Sequence, residues 1–327
     1  MYSVLPAIDV PPQPWTGRFD GDTSWHRRWW QAVKPYAPST QEIPTPASAG
    51  SAGRPAVVVG FCSDEGVRRN KGRVGAAAAP AAIRTALGPL AFHGHRAVFD
   101  AGNVTVEGDA PGVLEAGQQR AGQVLSGLLD DGNLTVMLGG GHETAYASYL
   151  GVAGSAAVRN GARLGILNLD AHFDLRDELQ PSSGTPFLQM AQAEKAAGRE
   201  FRYGVVGVSE VNNTRALFDT ARRLGVRYLL DEDSSAEAVD RFVSDFLADV
   251  DVLYLTIDLD VLPAETAPGV SAPAAYGVPL SVIAAVCRQV ASSGKLLHCD
   301  VAELNPQFDV DSRTARVAAR LVDTLLR

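Results

Sequence analysis

Cysteine is scarce in this chain. Cys62, Cys287 and Cys299 are the only three among 327 residues, and no two stand in a C-x-x-C spacing. An odd, sparse count argues against a disulfide scaffold or a thiolate metal cluster and reads as buried thiols in a reducing cytoplasm. Long apolar runs are lacking as well. No stretch reaches the ~18 apolar residues a membrane-spanning helix requires. There is no excess of positive charge: 29 Lys and Arg stand against 37 Asp and Glu, a net charge of −8. That balance disfavours nucleic acid or an anionic membrane as the main partner. Met1–Pro14 carries prolines at positions 6, 11, 12 and 14 and no basic start ahead of an apolar stretch, so it does not read as a signal peptide.

What is present is an ordinary globular composition, 46% hydrophobic and 20% charged, enough for a sizeable core. Residues 1–55 stand apart. All four tryptophans fall within Trp15–Trp30, and Ala37–Gly53 is rich in Pro, Ser, Ala and Gly. This segment is expected to be an irregular arm packed on the domain by its aromatics, followed by a loop. From Ala56 on, short apolar runs alternate with helical patterns, with helices expected over Pro80–Leu87, Gly112–Leu129, Thr144–Asn160, Thr185–Ala197, Thr214–Leu224, Ala236–Leu247, Ser281–Ser292 and Arg313–Leu326. Strands are expected at Ala56–Phe61, Ala97–Asp100, Thr135–Leu138, Leu164–Leu169, Tyr203–Val208, Val226–Leu230, Val252–Ile257 and Leu296–Val301. Near-continuous apolar strands separated by helices predict a parallel sheet covered on both faces. The expectation is one α/β domain over 56–327, a three-layer α/β/α sandwich with a central, mainly parallel eight-stranded sheet. Ligands of such sheets bind beyond the carboxyl ends of the strands.

Three motifs fall at those ends. Leu164–Leu169 runs into Asp170, His172 and Asp174, which share one side of an extended segment. Thr135–Leu138 leads into Gly139-Gly-Gly-His142-Glu143, and Val252–Ile257 into Asp258-Leu-Asp260. Four carboxylates and two imidazoles clustered without cations would repel and raise one another's pKa values. Two divalent ions would balance the four negative charges. Mixed oxygen and nitrogen donors without thiolate suit Mn²⁺ or a similar ion.

These motifs, in this order, resemble the three metal-binding motifs of the arginase/agmatinase ureohydrolases, over about Ala56 to Arg327. The resemblance implies two Mn²⁺ per subunit held by His142, Asp170, His172, Asp174, Asp258 and Asp260. It also implies a metal-bridging hydroxide that attacks an amidinium or guanidinium carbon, with Asp260 aligning it. Asp300-Val-Ala-Glu303-Leu-Asn-Pro306 resembles the segment whose Glu holds the cationic C–N group, making Glu303 the second catalytic candidate. A homo-oligomer and a cytoplasmic enzyme are implied too. One departure is plain: arginases carry a His in the loop equivalent to Ser182–Leu188, and this chain has none there. Arginase activity is therefore not expected.

Two details resemble the branch of the family that cleaves N-formimidoyl-L-glutamate to L-glutamate and formamide in histidine degradation. Arg176, two residues after Asp174, puts at the mouth of the site a cation whose fork suits a carboxylate. Asp64–Gly75 looks like that branch's loop bordering the pocket, with Arg68, Arg69 and Asn70 as candidates for a second carboxylate. Asn213 is a further candidate, in the loop Asn212-Asn213-Thr214. Two other readings stay open from the residues: a hydrolase of a guanidino acid such as guanidinobutyrate, and a non-catalytic metal-dependent metabolite sensor.

Overall fold

A computed structural model of the chain describes residues 8–36 and 53–327. Among them, nine strands form one sheet in the order β1-β3-β2-β4-β9-β8-β5-β6-β7. The strands are β1 Val33–Pro35, β2 Ala56–Cys62, β3 Val98–Thr105, β4 Leu134–Leu138, β5 Leu164–Leu169, β6 Arg202–Val208, β7 Arg227–Leu230, β8 Val252–Asp258 and β9 Leu296–Ala302. Every pairing is parallel. The eight expected strands are all present, and β1 is the ninth. The segment expected to be irregular thus adds an edge strand, with Val33 opposite Val98. Three residues with a Pro at the end carry no alternation that a sequence can display.

The strands are apolar on both sides because each side meets a helix layer. In β2, Ala56 and Val58 join one core while Val57, Val59 and Phe61 join the other. In β8, Leu253, Leu255 and Ile257 face one way and Tyr254 the other. One layer holds α3 Ala79–Leu87, α9 Ala236–Ala248, α10 Leu280–Ser292 and α11 Arg313–Leu326. The opposite layer holds α4 Val113–Asp130, α5 Thr144–Ala153, α7 Pro186–Ala196 and α8 Arg215–Arg223. The helix expected over Thr144–Asn160 is two. It breaks at Gly154–Ser155, where Ser155 turns extended (ψ 153°), and resumes as α6 Ala156–Arg159.

Part of the arm is tied into the fold. Trp29, in the single-turn helix α1 Trp29–Ala32, is 1% exposed, and its indole Nε1 donates to Asp323 Oδ1 at 2.9 Å. Truncating such a side chain costs about 3–5 kcal/mol. Trp15 Nε1 donates to Asp100 Oδ2 at 2.7 Å, a carboxylate already gripped by Arg84. The expected loop at 37–52 lies outside the described residues. Cys287 and Cys299 are buried as expected, whereas Cys62, at the end of β2, is half-exposed. No disulfide joins them.

The sheet order decides where the motifs meet. After β4 the chain crosses to β5, β6 and β7, then returns to insert β8 and β9 into the gap between β4 and β5. Four adjacent central strands, β4-β9-β8-β5, therefore deliver their carboxyl ends side by side. Register keeps those ends level: Leu138 pairs with Val301, Asp258 with Ala302, and Leu169 with Ile257.

Candidate metal centre

His142 follows β4, Asp170 to Asp174 follow β5, Asp258 ends β8 and Glu303 follows β9. The glycines before His142 permit a close approach. A side chain at Gly140 would put its Cβ 1.7 Å from the Ser63 carbonyl oxygen, a carbonyl that accepts from Gly141 N at 3.0 Å. The peptide of Gly140 in turn accepts from Glu303 N at 2.8 Å. Asp174 (φ 48°) and Glu303 (φ 67°) hold left-handed backbone, which favours glycine. Such residues cost on the order of 1–3 kcal/mol and are kept where the surroundings over-determine them.

His142 Nδ1 lies 2.9 Å from Asp174 Oδ2, 3.1 Å from Asp170 Oδ2 and 3.2 Å from Asp258 Oδ2. One N–H cannot serve three carboxylates, so this convergence is the arrangement of a cation's donor shell. The opposite ring nitrogen decides the tautomer. Thr256 Oγ1 donates its only proton to Asp300 Oδ1 at 2.6 Å and must accept from His142 Nε2 at 3.0 Å. Neutral His142 then carries its hydrogen on Nε2 and turns a bare Nδ1 lone pair toward the carboxylates, as a metal ligand requires.

A second cluster shares a member with the first. His172 Nδ1 is 3.1 Å from Asp260 Oδ2 and 3.5 Å from Asp170 Oδ1. Asp170 presents Oδ2 to the His142 group and Oδ1 to the His172 group. The donor atoms of His142, Asp170 and Asp258 lie within 4.8 Å of one another, as do those of Asp170, His172 and Asp260. Backbone donors orient these acids. His172 N donates to Asp170 Oδ1 at 2.6 Å, Asp260 N to Asp258 Oδ1 at 2.9 Å and Ala171 N to Asp260 Oδ1 at 3.3 Å.

The charge balance also asks for cations. Burial pushes Asp258 well above the usual carboxylate range, with repulsion from Asp260 and Asp170 adding to it. Burial and Asp170 raise Asp174 likewise. For His142 burial acts downward, but the bonds to Asp170, Asp174 and Asp258 outweigh it and hold the ring well above its ordinary value. His172 is raised in the same way, burial being outweighed by Asp260 and Asp170. Burial also acts upward on Asp170, and His142 and His172 outweigh it, leaving it lowered. Without cations the imidazoles must hold protons to neutralise the acids, and divalent ions would take over that role. The oxygen and nitrogen donors, the shared carboxylate and the Nε2–H tautomer of His142 all fit a binuclear site.

A cavity of about 230 Å³ opens onto this cluster. Arg176, Asn70, Asn213 and Glu303 line it together with His172, Asp174, Asp258 and Asp260. Glu303 Oε1 accepts from His142 N at 2.7 Å. Burial and the neighbouring Glu143 carboxylate push Glu303 up to about 8. Arg176 is exposed at the rim, and its guanidinium has no hydrogen bond or ion pair among the described residues. Asn70 Nδ2 donates to Ser183 Oγ at 3.1 Å, which leaves its carbonyl oxygen free.

Three expected contacts are placed otherwise. Arg68 forks onto Glu65 at 2.6 and 2.7 Å and is not among the residues that line the cavity. Arg69 is 3% exposed and spent on Glu65, Glu115 and the Pro181 carbonyl. Both sit on a short helix, α2 Glu65–Arg69, whose i, i+3 and i, i+4 spacing from Glu65 turns them to that acid. Of that loop, Asn70 and Gly72 reach the cavity. Asn213 lines it, but its amide is committed to backbone: Nδ2 donates to Ala171 O at 2.9 Å and Ser209 O at 2.8 Å, and Oδ1 accepts from Phe173 N at 3.1 Å. It holds the Asp170–Asp174 loop in shape. His298 is fully buried, its Nδ1 2.7 Å from Thr135 Oγ1, and burial drives it down to about 3.

Sequence reasoning passed over Thr256, Asp300 and Tyr254, the chain of hydroxyls and carboxylate behind His142. Tyr254 donates to Asp300 Oδ2 at 2.6 Å. Thr256 and Asp300 are register partners across β8 and β9, an adjacency that nothing in the linear order announces. Ser183 and Asn212 also lie on the cavity wall.

A sequence model of the arginase family matches residues 54–327. The chain is 56% identical over 316 residues to a formimidoylglutamase of Nocardia farcinica, spanning 97% of this chain and 96% of that protein. It is 51% identical over 320 residues to one from Ralstonia nicotianae, spanning 96% and 94%. Among solved structures, Trypanosoma cruzi formiminoglutamase with Mn²⁺ superposes with a TM-score of 0.75 at 25% identity, over 86% of this chain and 97% of that one. Bacillus subtilis formimidoylglutamase shares the fold, with a TM-score of 0.76 at 19% identity over 90% of each chain.

Proposed function

The chain belongs to the arginase family, and from that membership we infer that it hydrolyses N-formimidoyl-L-glutamate to L-glutamate and formamide. The observation that carries the reading is one cavity with three features: a pair of acid–imidazole clusters sharing Asp170, the Glu303 carboxylate, and an unpaired Arg176 guanidinium at the rim. The relatives at 51–56% identity support the substrate.

His142, Asp170, Asp174 and Asp258 would hold one divalent ion, and Asp170, His172 and Asp260 the other. Mn²⁺ is the proposed metal. Two such ions supply an acidified water and stabilise negative charge on the attacked carbon's substituents. The protein's own groups do the rest. Glu303 Oε1 is occupied by His142 N, which leaves Oε2 to accept from the amidinium N–H. A cation beside Glu303 favours its ionised form, against the burial that raises it. Arg176 holds a glutamate carboxylate through its fork. Asn70, with its free carbonyl oxygen, borders the same space. Asp260, on the cavity wall 3.1 Å from His172 Nδ1, would carry a proton to the glutamate nitrogen. Water adds its oxygen to the formimidoyl carbon, the bond to the glutamate nitrogen breaks, and that nitrogen leaves as an amine with the transferred proton.

No helix among the described residues is long and apolar enough to cross a membrane. The three free cysteines suit the cytoplasmic location proposed for the enzyme. Homo-oligomeric assembly belongs to the same reading and is checked by sedimentation. The function is tested by loading the protein with Mn²⁺ and offering N-formimidoyl-L-glutamate beside arginine, agmatine and guanidinobutyrate. Glutamate and formamide in equal amounts are expected, without urea. Urea from a guanidino substrate would overturn the substrate assignment. No product from any, with metal verified in place, would favour a sensor.

A further inference from the structure

A second cavity, larger than the one at the metal centre, lies elsewhere among the described residues. A groove of about 970 Å³ runs between the arm and the residues leading into β3. It lies at the amino end of β3, whereas the metal cluster lies at the carboxyl ends of the strands. In a protein of net charge −8, its lining is cationic. Arg18, Arg27, Arg28, Lys34 and Arg96 contribute to it, and Asp20 is the only acid among the described residues that line it. Asp20 is spent on Arg18 and Arg28. Arg27 and Lys34 are exposed and have no partner among the described residues. His93 and His95 line the same groove and are likewise unpaired.

Arg96 adds an independent sign. Its guanidinium donates to the Arg54 carbonyl through Nη1, while its buried Nε has no partner. The guanidinium of Arg54 bears on it as a second cation. Burial and that neighbour push Arg96 below the usual arginine range. Half-buried guanidiniums gathered without a carboxylate are costly, and a bound anion would relieve that cost. Trp25 completes the wall and is 94% exposed. An exposed indole beside cations is the setting in which a planar base stacks. The cavity volume is at the upper end of the range for sites of small organic ligands.

We propose that this groove binds a nucleoside polyphosphate, with Arg27, Lys34 and Arg96 on the phosphates and Trp25 against the base. Such a ligand would tie the arm to the segment before β3 at a place remote from the reaction cavity.

The test is calorimetric titration of the metal-loaded, full-length protein with ATP, magnesium in excess so that the nucleotide does not strip the enzyme's metal. Saturable one-to-one binding is expected, weakening about tenfold or more in the Arg27→Ala/Lys34→Ala double variant. Both side chains are exposed, so this variant should keep wild-type turnover, which verifies its fold. Arg176→Ala should bind ATP as the wild type does. Magnesium triphosphate should bind more weakly than magnesium ATP, and Trp25→Ala should erase that difference. No saturable binding at millimolar ligand, or unchanged affinity in the double variant, overturns the site. Loss of binding in Arg176→Ala instead would place the anion in the reaction cavity. Equal affinities for triphosphate and ATP would overturn the nucleoside part.

Discussion

Replacing Thr256 by Val tests the tautomer argument on which the metal centre rests. The exchange keeps the β-branched shape at a fully buried position of β8 and deletes one oxygen. That oxygen accepts from His142 Nε2 at 3.0 Å and donates to Asp300 Oδ1 at 2.6 Å. Asp300 keeps Tyr254 on its other oxygen, but His142 loses its only partner on that side. A buried donor left unsatisfied costs ~1–3 kcal/mol, and the lost bond to the carboxylate adds a comparable amount, so stability should fall by roughly 2–6 kcal/mol. The imidazole is then free to move its hydrogen to Nδ1, facing the carboxylates and away from duty as a ligand. Removing such an orienting partner typically weakens metal binding ~10–100-fold, or about 1.4–2.7 kcal/mol. Mn²⁺ titration, with the thermal midpoint followed in parallel, measures both effects, and Thr256→Ser should restore metal affinity. Wild-type affinity in Thr256→Val would refute the assignment of the Nε2–H tautomer.

Asp170 reaches both clusters through its two oxygens, so Asp170→Asn should abolish loading at both positions and turnover with it. Metal analysis showing one ion retained would contradict the sharing. Arg176→Ala should raise KM for the substrate ~10–150-fold with kcat within a few-fold, because a charge-assisted bond of ~1.5–3 kcal/mol to a non-reacting carboxylate is lost. Arg69→Ala should leave KM within about twofold and lower the melting temperature, since its side chain serves Glu65 and Glu115. In the metal-free protein, the raised pKa of Glu143 (about 7), of Glu303 (about 8), and of His142 and His172 means that the folded state binds more protons. The stability they contribute is fully present below the unfolded values, near 4.3 for Glu and 6.5 for His, and is lost as pH rises through the folded ones. The melting temperature of the metal-free protein should therefore fall from about pH 5 to pH 8.5, and Mn²⁺ should flatten that slope. A midpoint rising with pH would count against the cluster's charge balance.

Much of the architecture was legible because its signals are local. Apolar β-rich runs marked eight strands, and β5 begins and ends where expected, at Leu164–Leu169. Patterns longer than about two helical turns marked the main helices. Short elements escaped: β1 spans Val33–Pro35 and α2 only Glu65–Arg69, too few residues for a period to repeat. The break between α5 and α6 escaped for a related reason, since Gly154 and Ser155 are each tolerated inside a helix and only the observed turn shows that they end one.

The candidate ligands were equally legible, because acids and imidazoles at alternate positions after a buried strand are hard to justify as anything but a binding site. Which residues share an ion, and which cation stays free, could not be read in the same way. Arg68, Arg69 and Arg176 are alike as letters near a pocket. Packing divides them, for Glu65 and Glu115 claim Arg68 and Arg69 while no described residue pairs with the Arg176 guanidinium. The chain order likewise separates His142 from Asp258 by more than a hundred residues. Inserting β8 and β9 between β4 and β5 makes them neighbours 3.2 Å apart. Side-chain chemistry and period are properties of short stretches, so the sequence by itself determined the fold class and the donor set. Contacts between distant stretches depend on strand order and register, so only the tertiary structure decided that Asp170 is shared, that Thr256 sets the His142 tautomer, and that Arg176 stands free at the mouth of the cavity.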